Sequence, residues 1–345
     1  MTKICICGGG NLGHVCAGFL SAQPDVEVNL LTTHPDSWSS TIEIDDPDGK
    51  TYHGHLSCIS SVPAEALLGV DIVLLCLPGY AIHPTLQKIA PYLSDSVWVG
   101  SVVSSTGFFF EAMKILPKNP LFGFQRVPFI SRITEYGRRA ALKGYKKTLS
   151  VAIEQTDDKQ HICDTLQELF DVPIILMDSY YEVSLSNSNP LLHPARLYTM
   201  WKDWHPGVVY EKNPFFYSDW TIDASELLLQ MDDEFQNLLR ALHIREGAIP
   251  TILDYYECSD AESLTQKFHD IPAFKGILSP MIQTSDGFIP DFHSRYFTED
   301  FPYGMRYIVD LAKKNNIDIP VVKTIYDWGI LISKTIFNKN GRNTN

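Results

Sequence analysis

The sequence predicts an α/β fold, a doubly wound parallel sheet followed by a mostly α-helical domain. Three observations predict it. Short apolar runs alternate with helical patterns through the first half. A glycine-rich loop follows the first of these runs directly, and from about residue 182 the apolar spacing turns helical. Alternation of strands and helices is the signature of parallel βαβ units.

The strand-like runs are Lys3–Cys7, Val26–Leu31, Asp71–Leu77, Val97–Val103 and Thr148–Ile153, with Ile174–Met177 as a last one after Pro173. Asp71–Leu77 reads D-I-V-L-L-C-L, a strand buried on both faces. Continuous apolar strands of this kind belong in a sheet covered by helices on both sides. In the second half, Leu228, Met231, Phe235, Leu238 and Leu242 make one apolar stripe of a helix spanning Asp223 to His243. Asp223 followed by Glu226 resembles a capping box. Tyr307 to Lys314 and Val321 to Lys334 also read as helices, with Pro320 in a first turn. The expected domains are 1–182, binding a dinucleotide, and 183–345, helical and carrying the substrate chemistry. The polar end Lys339–Asn345 is expected to fray.

Composition bounds the partners. The 345 residues suffice for two domains, and 45% hydrophobic with 20% charged residues describes chains that bury sizeable cores. A net charge of −13 disfavours nucleic acid and anionic membrane surfaces. A small anionic ligand can still bind, through local arginines and helix N-termini. The seven cysteines, an odd number, show no disulfide pattern, and Cys5-Ile6-Cys7 lacks the two-residue gap of a redox or zinc pair. No secretory signal or 20-residue apolar stretch is legible. The expectation is a cytoplasmic protein without a metal site.

Gly8-Gly9-Gly10-Asn11-Leu12-Gly13 fits G-x-G-x-x-G. Alone the pattern is weak. Here it joins a strand to a helix within a βαβ unit ending near Leu31, the context of a Rossmann dinucleotide site. Gly8 is expected to make the tight turn, Gly10 to admit a pyrophosphate, and Gly13 to let the helix pack closely. Asn11 and Leu12 open the helix, whose free N–H groups favour a phosphate. An NAD site usually has an acid at the end of its second strand. Here Leu31-Thr32-Thr33-His34 stands there, with Asp36 late, beyond Pro35. The missing acid leans the expectation toward NADP(H), with Thr32 and Thr33 beside the ribose. Leu77-Pro78 and Ser104-Ser105-Thr106-Gly107 close later strands, either as loops beside the cofactor or as ordinary turns.

Two later segments concentrate polar residues, Ser186 to Arg196 and Asp291 to Gly304. A hydride-transfer enzyme must bind the nicotinamide, hold a substrate carboxylate and move a proton. Imidazole suits the proton, a neighbouring carboxylate fixes its tautomer, and an arginine fork suits a carboxylate. His193, Asp300 and Arg295 can fill these roles, but residue chemistry alone does not select them among 11 histidines.

Three ordered segments resemble the octopine/nopaline (opine) dehydrogenase family. Phe124-Gln125-Arg126-Val127-Pro128-Phe129-Ile130-Ser131-Arg132 with Tyr136-Gly137 is similar to its Q-x-x-P-W-x-x-R…Y-G segment, with Phe129 in place of Trp. Asn189-Pro190-Leu191-Leu192-His193-Pro194 matches N-P-x-x-H-P. Arg295-Tyr296-Phe297-Thr298-Glu299-Asp300-Phe301-Pro302-Tyr303-Gly304 resembles R-Y-x-x-E-D-x-P-x-G. The resemblance implies a Rossmann domain, a helical domain, and a substrate between them. It implies His193 as acid/base with Asp300 as its partner.

The implied reaction is NAD(P)H-dependent reductive condensation of an α-keto acid with an amino acid through an imine. Arg295 then binds a carboxylate or pairs with an acid such as Glu299. Gln125 and Arg126 are expected near the cofactor–substrate junction, and Asn187 and Asn189 either orient substrate or cap a helix. Trp201, Trp204, Phe215, Phe216, Tyr217 and Trp220 are a pocket wall or plain core. Two rival readings stand beside this one. A dehydrogenase of the glycerol-3-phosphate dehydrogenase or ketopantoate reductase type would use a lysine, with Lys146, Lys147 and Lys202 as candidates. A non-catalytic dinucleotide sensor would bind without turnover. The sequence names neither the keto acid nor the amine, and gives no oligomeric state.

Overall fold

The computed structural model describes residues 1–340. The expected fraying of the polar end from Lys339 falls mainly on 341–345, outside the described residues. The chain divides into two compact units, Met1–Ser186 and Asn187–Asn345.

The first unit is built on one eleven-stranded sheet. Its strands are β1 (Thr2–Cys7), β2 (Val26–Leu31), β3 (Thr41–Asp45), β4 (Thr51–Ser60), β5 (Ile72–Leu75), β6 (Trp98–Ser101), β7 (Leu121–Phe124), β8 (Phe129–Glu135), β9 (Arg139–Tyr145), β10 (Leu149–Glu154) and β11 (Ile174–Leu176). The order is β11-β10-β7-β6-β5-β1-β2-β4-β3-β9-β8. Within it β4-β2-β1-β5-β6-β7 is all parallel. That is the 3-2-1-4-5-6 order of a doubly wound dinucleotide-binding sheet. β1 and β5 flank the point where the winding reverses, and Cys7 stands opposite Leu75 at their ends. Ligands of such sheets lie outside those strand ends.

The expected parallel core is extended by antiparallel strands at both flanks. β10 joins β7 antiparallel, and β3 and β8 run antiparallel to β4 and β9. β3, β4, β7, β8 and β9 were not legible as apolar runs. β4 alternates buried Gly54 and Leu56 with exposed His53 and His55, so only one of its faces is apolar. The helix Asn11–Ser21 lies against this extension, because Gly18 and Gly54 carry no side chains where helix and strand meet. Phe129, expected at a family motif, is a core residue 5.0 Å from Phe19.

The second unit is mostly helical, with a small hairpin of Met281–Thr284 and Gly287–Pro290. The long helix Ile222–Ala241 buries Leu228, Met231, Phe235 and Leu238 along the expected stripe. Its start differs from expectation. Thr221 is the N-cap, its side chain making no capping bond, and Asp223 lies within the first turn rather than capping it. A reciprocal capping box does occur at Asp260 and Ser263, ahead of helix Ala261–Asp270. The helix Pro320–Asn340 is capped from a distance, where Glu234 accepts the Val321 and Val322 N–H groups at 2.9 Å each. A carboxylate satisfies the orphan donors of a helix start and matches its dipole. No helix among the described residues is long and apolar enough to cross a membrane.

Candidate active site

The glycine loop sits at the reversal point of the sheet. Gly8 has φ +117°, and a Cβ there would lie 2.6 Å from the Cys76 carbonyl oxygen. Gly13 faces the Gly8 carbonyl so closely that a Cβ would collide with it. Gly10 differs, because a Cβ on it would meet open space. Gly10 is also the N-cap of helix Asn11–Ser21 and gives no side-chain cap. The helix start therefore offers backbone N–H groups toward that open side, which fits the pyrophosphate of a dinucleotide.

The neighbours of the loop fall into two sets. A Cβ on Gly8 would lie 2.9 Å from Leu77, and Pro78 caps the helix that follows β5. Thr32 is buried beside Gly9, and its hydroxyl accepts from the His34 N–H at 3.4 Å. Thr33 is exposed, and Leu12 half-buried. Asn11 turns away from a capping role, its Oδ1 accepting the Ile133 N–H at 2.7 Å. Ser104–Thr106 forms a short turn in which Thr106 bonds the Val103 carbonyl.

The sequence reading missed His14. Its ring is fully buried between Trp38, at 4.0 Å, and Tyr136, at 4.9 Å. Nε2 accepts the Gly137 N–H at 2.8 Å. Nδ1 must then carry the proton that it donates to the Gly10 carbonyl at 2.9 Å. Burial holds this imidazole below the usual histidine range.

Gln125 and Arg126 follow β7 and bind backbone of the first unit. Gln125 Nε2 reaches the Glu182 carbonyl at 3.4 Å, and Arg126 donates to the Ser186 carbonyl at 3.0 Å.

In the second unit, three side chains from separate segments converge. His193 lies in helix Asn189–Trp201, whose interior Pro194 lacks the N–H that would bond the Pro190 carbonyl. Its Nδ1 lies 2.8 Å from Asp300 Oδ2, and both side chains are nearly buried. Its Nε2 lies 3.0 Å from the Tyr217 hydroxyl. A carboxylate can only accept, so Nδ1 donates to Asp300 and Nε2 accepts from Tyr217. Burial, with the Asp300 charge adding to it, pushes the Tyr217 phenol well above its ordinary range, so it keeps its proton. Tyr296 meets the imidazole edge-on at 4.6 Å, and Phe216 at 5.6 Å.

Packing explains how Asp300 reaches the histidine. It ends the short segment after helix Arg295–Thr298 and directly precedes a π-helical turn, Phe301–Met305. Single π turns widen a helix and are frequent at functional sites. Gly304 in that turn lies against Pro190, where a Cβ would stand 2.5 Å from the proline ring. Phe301 packs on Gly329 from the other side. The turn is thus clamped onto the start of the helix that carries His193.

The other expected residues have plainer surroundings. Arg295 is exposed and forms no ion pair among the described residues. Asn187 Oδ1 accepts the Asn189 N–H at 3.2 Å, a local turn ahead of the helix, and Asn189 is exposed. The aromatic group divides. Trp201, Phe216, Tyr217 and Trp220 are buried, whereas Phe215 is 41% exposed and Trp204 half-buried. Tyr217 stacks on Phe274 at 3.9 Å and lies parallel to Trp220 at 6.2 Å. Arg196, also missed, is buried, and loss of hydration pushes its guanidinium down to about 10. It holds the Asp219 carbonyl and the Thr221 hydroxyl, and so fixes the segment that carries Tyr217.

A doubly wound sheet with an open glycine loop, joined in one chain to a His–Asp pair, is the equipment of a nicotinamide-dinucleotide-dependent oxidoreductase. Comparison with known proteins narrows the class. Residues 176–332 match the family model described as "NAD/NADP octopine/nopaline dehydrogenase, alpha-helical domain". Octopine dehydrogenase of Mizuhopecten yessoensis is 28% identical, over 94% of this chain and 88% of that protein. Tauropine dehydrogenase of Arabella iricolor is 28% identical, over 95% and 90%. A solved octopine dehydrogenase with NADH and L-arginine superposes with a TM-score of 0.83 at 27% identity, covering 95% of this chain and 89% of that one. Over most of its length the chain is similar to octopine and tauropine dehydrogenases, and its residues 176–332 match the α-helical domain of the octopine/nopaline dehydrogenase family.

Proposed function

We propose that this protein reductively condenses an α-keto acid with an amino acid, through an imine, to a secondary-amine dicarboxylate. The observation that carries the reading is the His193–Asp300 contact at 2.8 Å, within the span that matches the family. Relatives support the substrate class, since octopine dehydrogenase has been solved with L-arginine and, separately, with pyruvate.

The amine arrives as an ammonium and must lose a proton before it can attack the keto carbon. His193 Nε2, unprotonated while Nδ1 donates to Asp300, is the base for that step. The Asp300 carboxylate stabilises the imidazolium that results. The same proton can return to the carbinolamine oxygen as water leaves. General acid–base help of this kind is worth about 10²–10⁴-fold. Arg295, without an ion pair among the described residues, would hold a substrate carboxylate through its planar fork. Bound NAD(P)H would supply the hydride that reduces the imine carbon. Gly8, Gly10, Asn11, Leu12 and Gly13 would hold the dinucleotide at the helix start, with Thr32, Thr33, Leu77 and Pro78 around it. Gln125, Arg126 and Asn189 remain proposed for the substrate side. No carboxylate ends β2 to select a free ribose hydroxyl, and this favours NADP(H).

The test is a matrix of keto acids against amino acids, followed by NAD(P)H absorbance with the purified protein. The reading expects consumption confined to particular pairs. Consumption with a keto acid alone, equal to that with any pair, would overturn it.

A further inference from the structure

His14 lies in the first turn of helix Asn11–Ser21, one residue past the glycine pattern. Its ring joins two pieces of backbone. Nδ1–H donates to the Gly10 carbonyl at 2.9 Å, the same oxygen that accepts the His14 N–H at 3.0 Å. Nε2 accepts the Gly137 N–H at 2.8 Å. Gly137 is itself fixed in place, with φ +71° and its α-carbon against the Ser37 carbonyl, where any side chain would collide. Its own carbonyl accepts the Ser39 N–H at 3.0 Å. The imidazole therefore pins Gly10, the residue that opens onto free space, to the turn between β8 and β9.

We propose that His14 is a positioning residue for the dinucleotide loop, and that its protonation releases the loop and weakens dinucleotide binding in acid. The inference rests on the reading of Gly8–Gly13 as the cofactor loop. Only one neutral tautomer satisfies both contacts, because a backbone N–H can only donate. A second ring proton would point Nε2–H at the Gly137 N–H, donor against donor. The Gly10 and Gly9 backbone favours the protonated ring, but burial outweighs both. Trp38 packs on it from the loop after β2 and Tyr136 from the turn after β8. Tyr136 is the one titratable side chain against it, and no charged group among the described residues acts on it. Burial without a compensating charge keeps the ring neutral near pH 7 and places its titration below the ordinary histidine range.

The experiment is calorimetric titration of the dinucleotide that binds more tightly at pH 7.5, repeated down to pH 5. Wild type, His14→Phe and His14→Gln are compared with the same ligand, so that titration of the ligand cancels. For the wild type, Kd should rise on the acid side of the ordinary histidine range, by at most about tenfold per pH unit for one linked proton. His14→Phe keeps the aromatic packing and loses both hydrogen bonds. Its Kd at pH 7.5 should be about tenfold higher, the scale of one or two net hydrogen bonds. It should also lack the acid dependence that separates it from the wild type. His14→Gln offers an amide oxygen to Gly137 and does not titrate, so it should bind better than His14→Phe and stay flat with pH. Affinity and pH profile unchanged in either variant would overturn the inference while leaving the cofactor reading intact. A wild type that binds neither dinucleotide at any pH would overturn both.

Discussion

His193 Nδ1 and Asp300 Oδ2 stand 2.8 Å apart although 107 positions separate them in the sequence. The contact exists because the π turn after Asp300 seats Gly304 on Pro190, three residues before the histidine. A pair made this way depends on one tight packing contact, and its proposed role in catalysis can be probed apart from the fold.

If the pair moves the proton, His193→Ala lowers kcat by about 10²–10⁴-fold. Dinucleotide affinity stays close to wild type, because the glycine loop belongs to the other unit. Asp300→Asn keeps the shape and removes the charge that favours imidazolium, so kcat falls while the unfolding temperature holds. The double variant is little worse than the poorer single one, as residues acting as a unit behave. Steady-state kinetics with thermal unfolding of each variant decides this. Additive losses would show that the two side chains act separately.

Tyr217→Phe tests the other side of the imidazole. The ring still stacks on Phe274 and Trp220, so stability changes by no more than about 1 kcal/mol. Nε2 loses its donor, and kcat falls by roughly tenfold with a smaller change in KM. The raised phenol fixes the pH behaviour. Tyr217 stays protonated through pH 10, so any loss of activity below that pH on the alkaline side persists unchanged in the variant. An alkaline limb that disappears in Tyr217→Phe would mean that the phenol ionises far earlier than its burial allows.

Gly10→Val separates cofactor binding from folding. Gly10 has φ −82° and open space at its Cβ position, so the variant folds with a near-normal unfolding temperature. The added side chain stands where a pyrophosphate would approach, and dinucleotide titration should show at least a tenfold loss. Gly13→Ala is the contrasting case, since its Cβ would strike the Gly8 carbonyl and the loop itself must shift. The same titration on the wild type, with NADPH and NADH in parallel, reads the end of β2. No carboxylate there discriminates against a 2′-phosphate, and NADPH should bind the more tightly. A large preference for NADH would show that other groups select the free ribose.

Most of the strands legible in the sequence were central ones with buried apolar stretches, although the short, fully buried β7 escaped. β5 is apolar and buried throughout, β1, β2, β6 and β10 each contain a buried apolar stretch, and the Gly8–Gly13 loop lies where βαβ context places it. β8 and β9 were not legible, because Ser131, Arg132, Thr134 and Lys143 break the apolar runs and the antiparallel pair joins through Tyr136-Gly137. The long helix was placed by its stripe, but its start was misread, since Asp223 mimics a cap that Thr221 occupies. At the site, His193 and Asp300 entered through motif resemblance. Their contact was invisible to spacing, as is any contact made by tertiary packing. Tyr217 was legible only as one aromatic among six. His14 was overlooked because a histidine one residue past a glycine pattern looks like ordinary helix filling. Its two backbone partners become visible only when β8 and β9 turn beside the loop.

The most direct measurement is the mass of the product formed when keto acid, amino acid and NAD(P)H are incubated together with the wild-type protein. The account predicts one compound combining both carbon skeletons, joined through nitrogen, with one water lost and two hydrogens gained. It forms only when both substrates are present, and it disappears with His193→Ala. A hydroxy acid formed from the keto acid at the same rate with or without the amine would contradict the account.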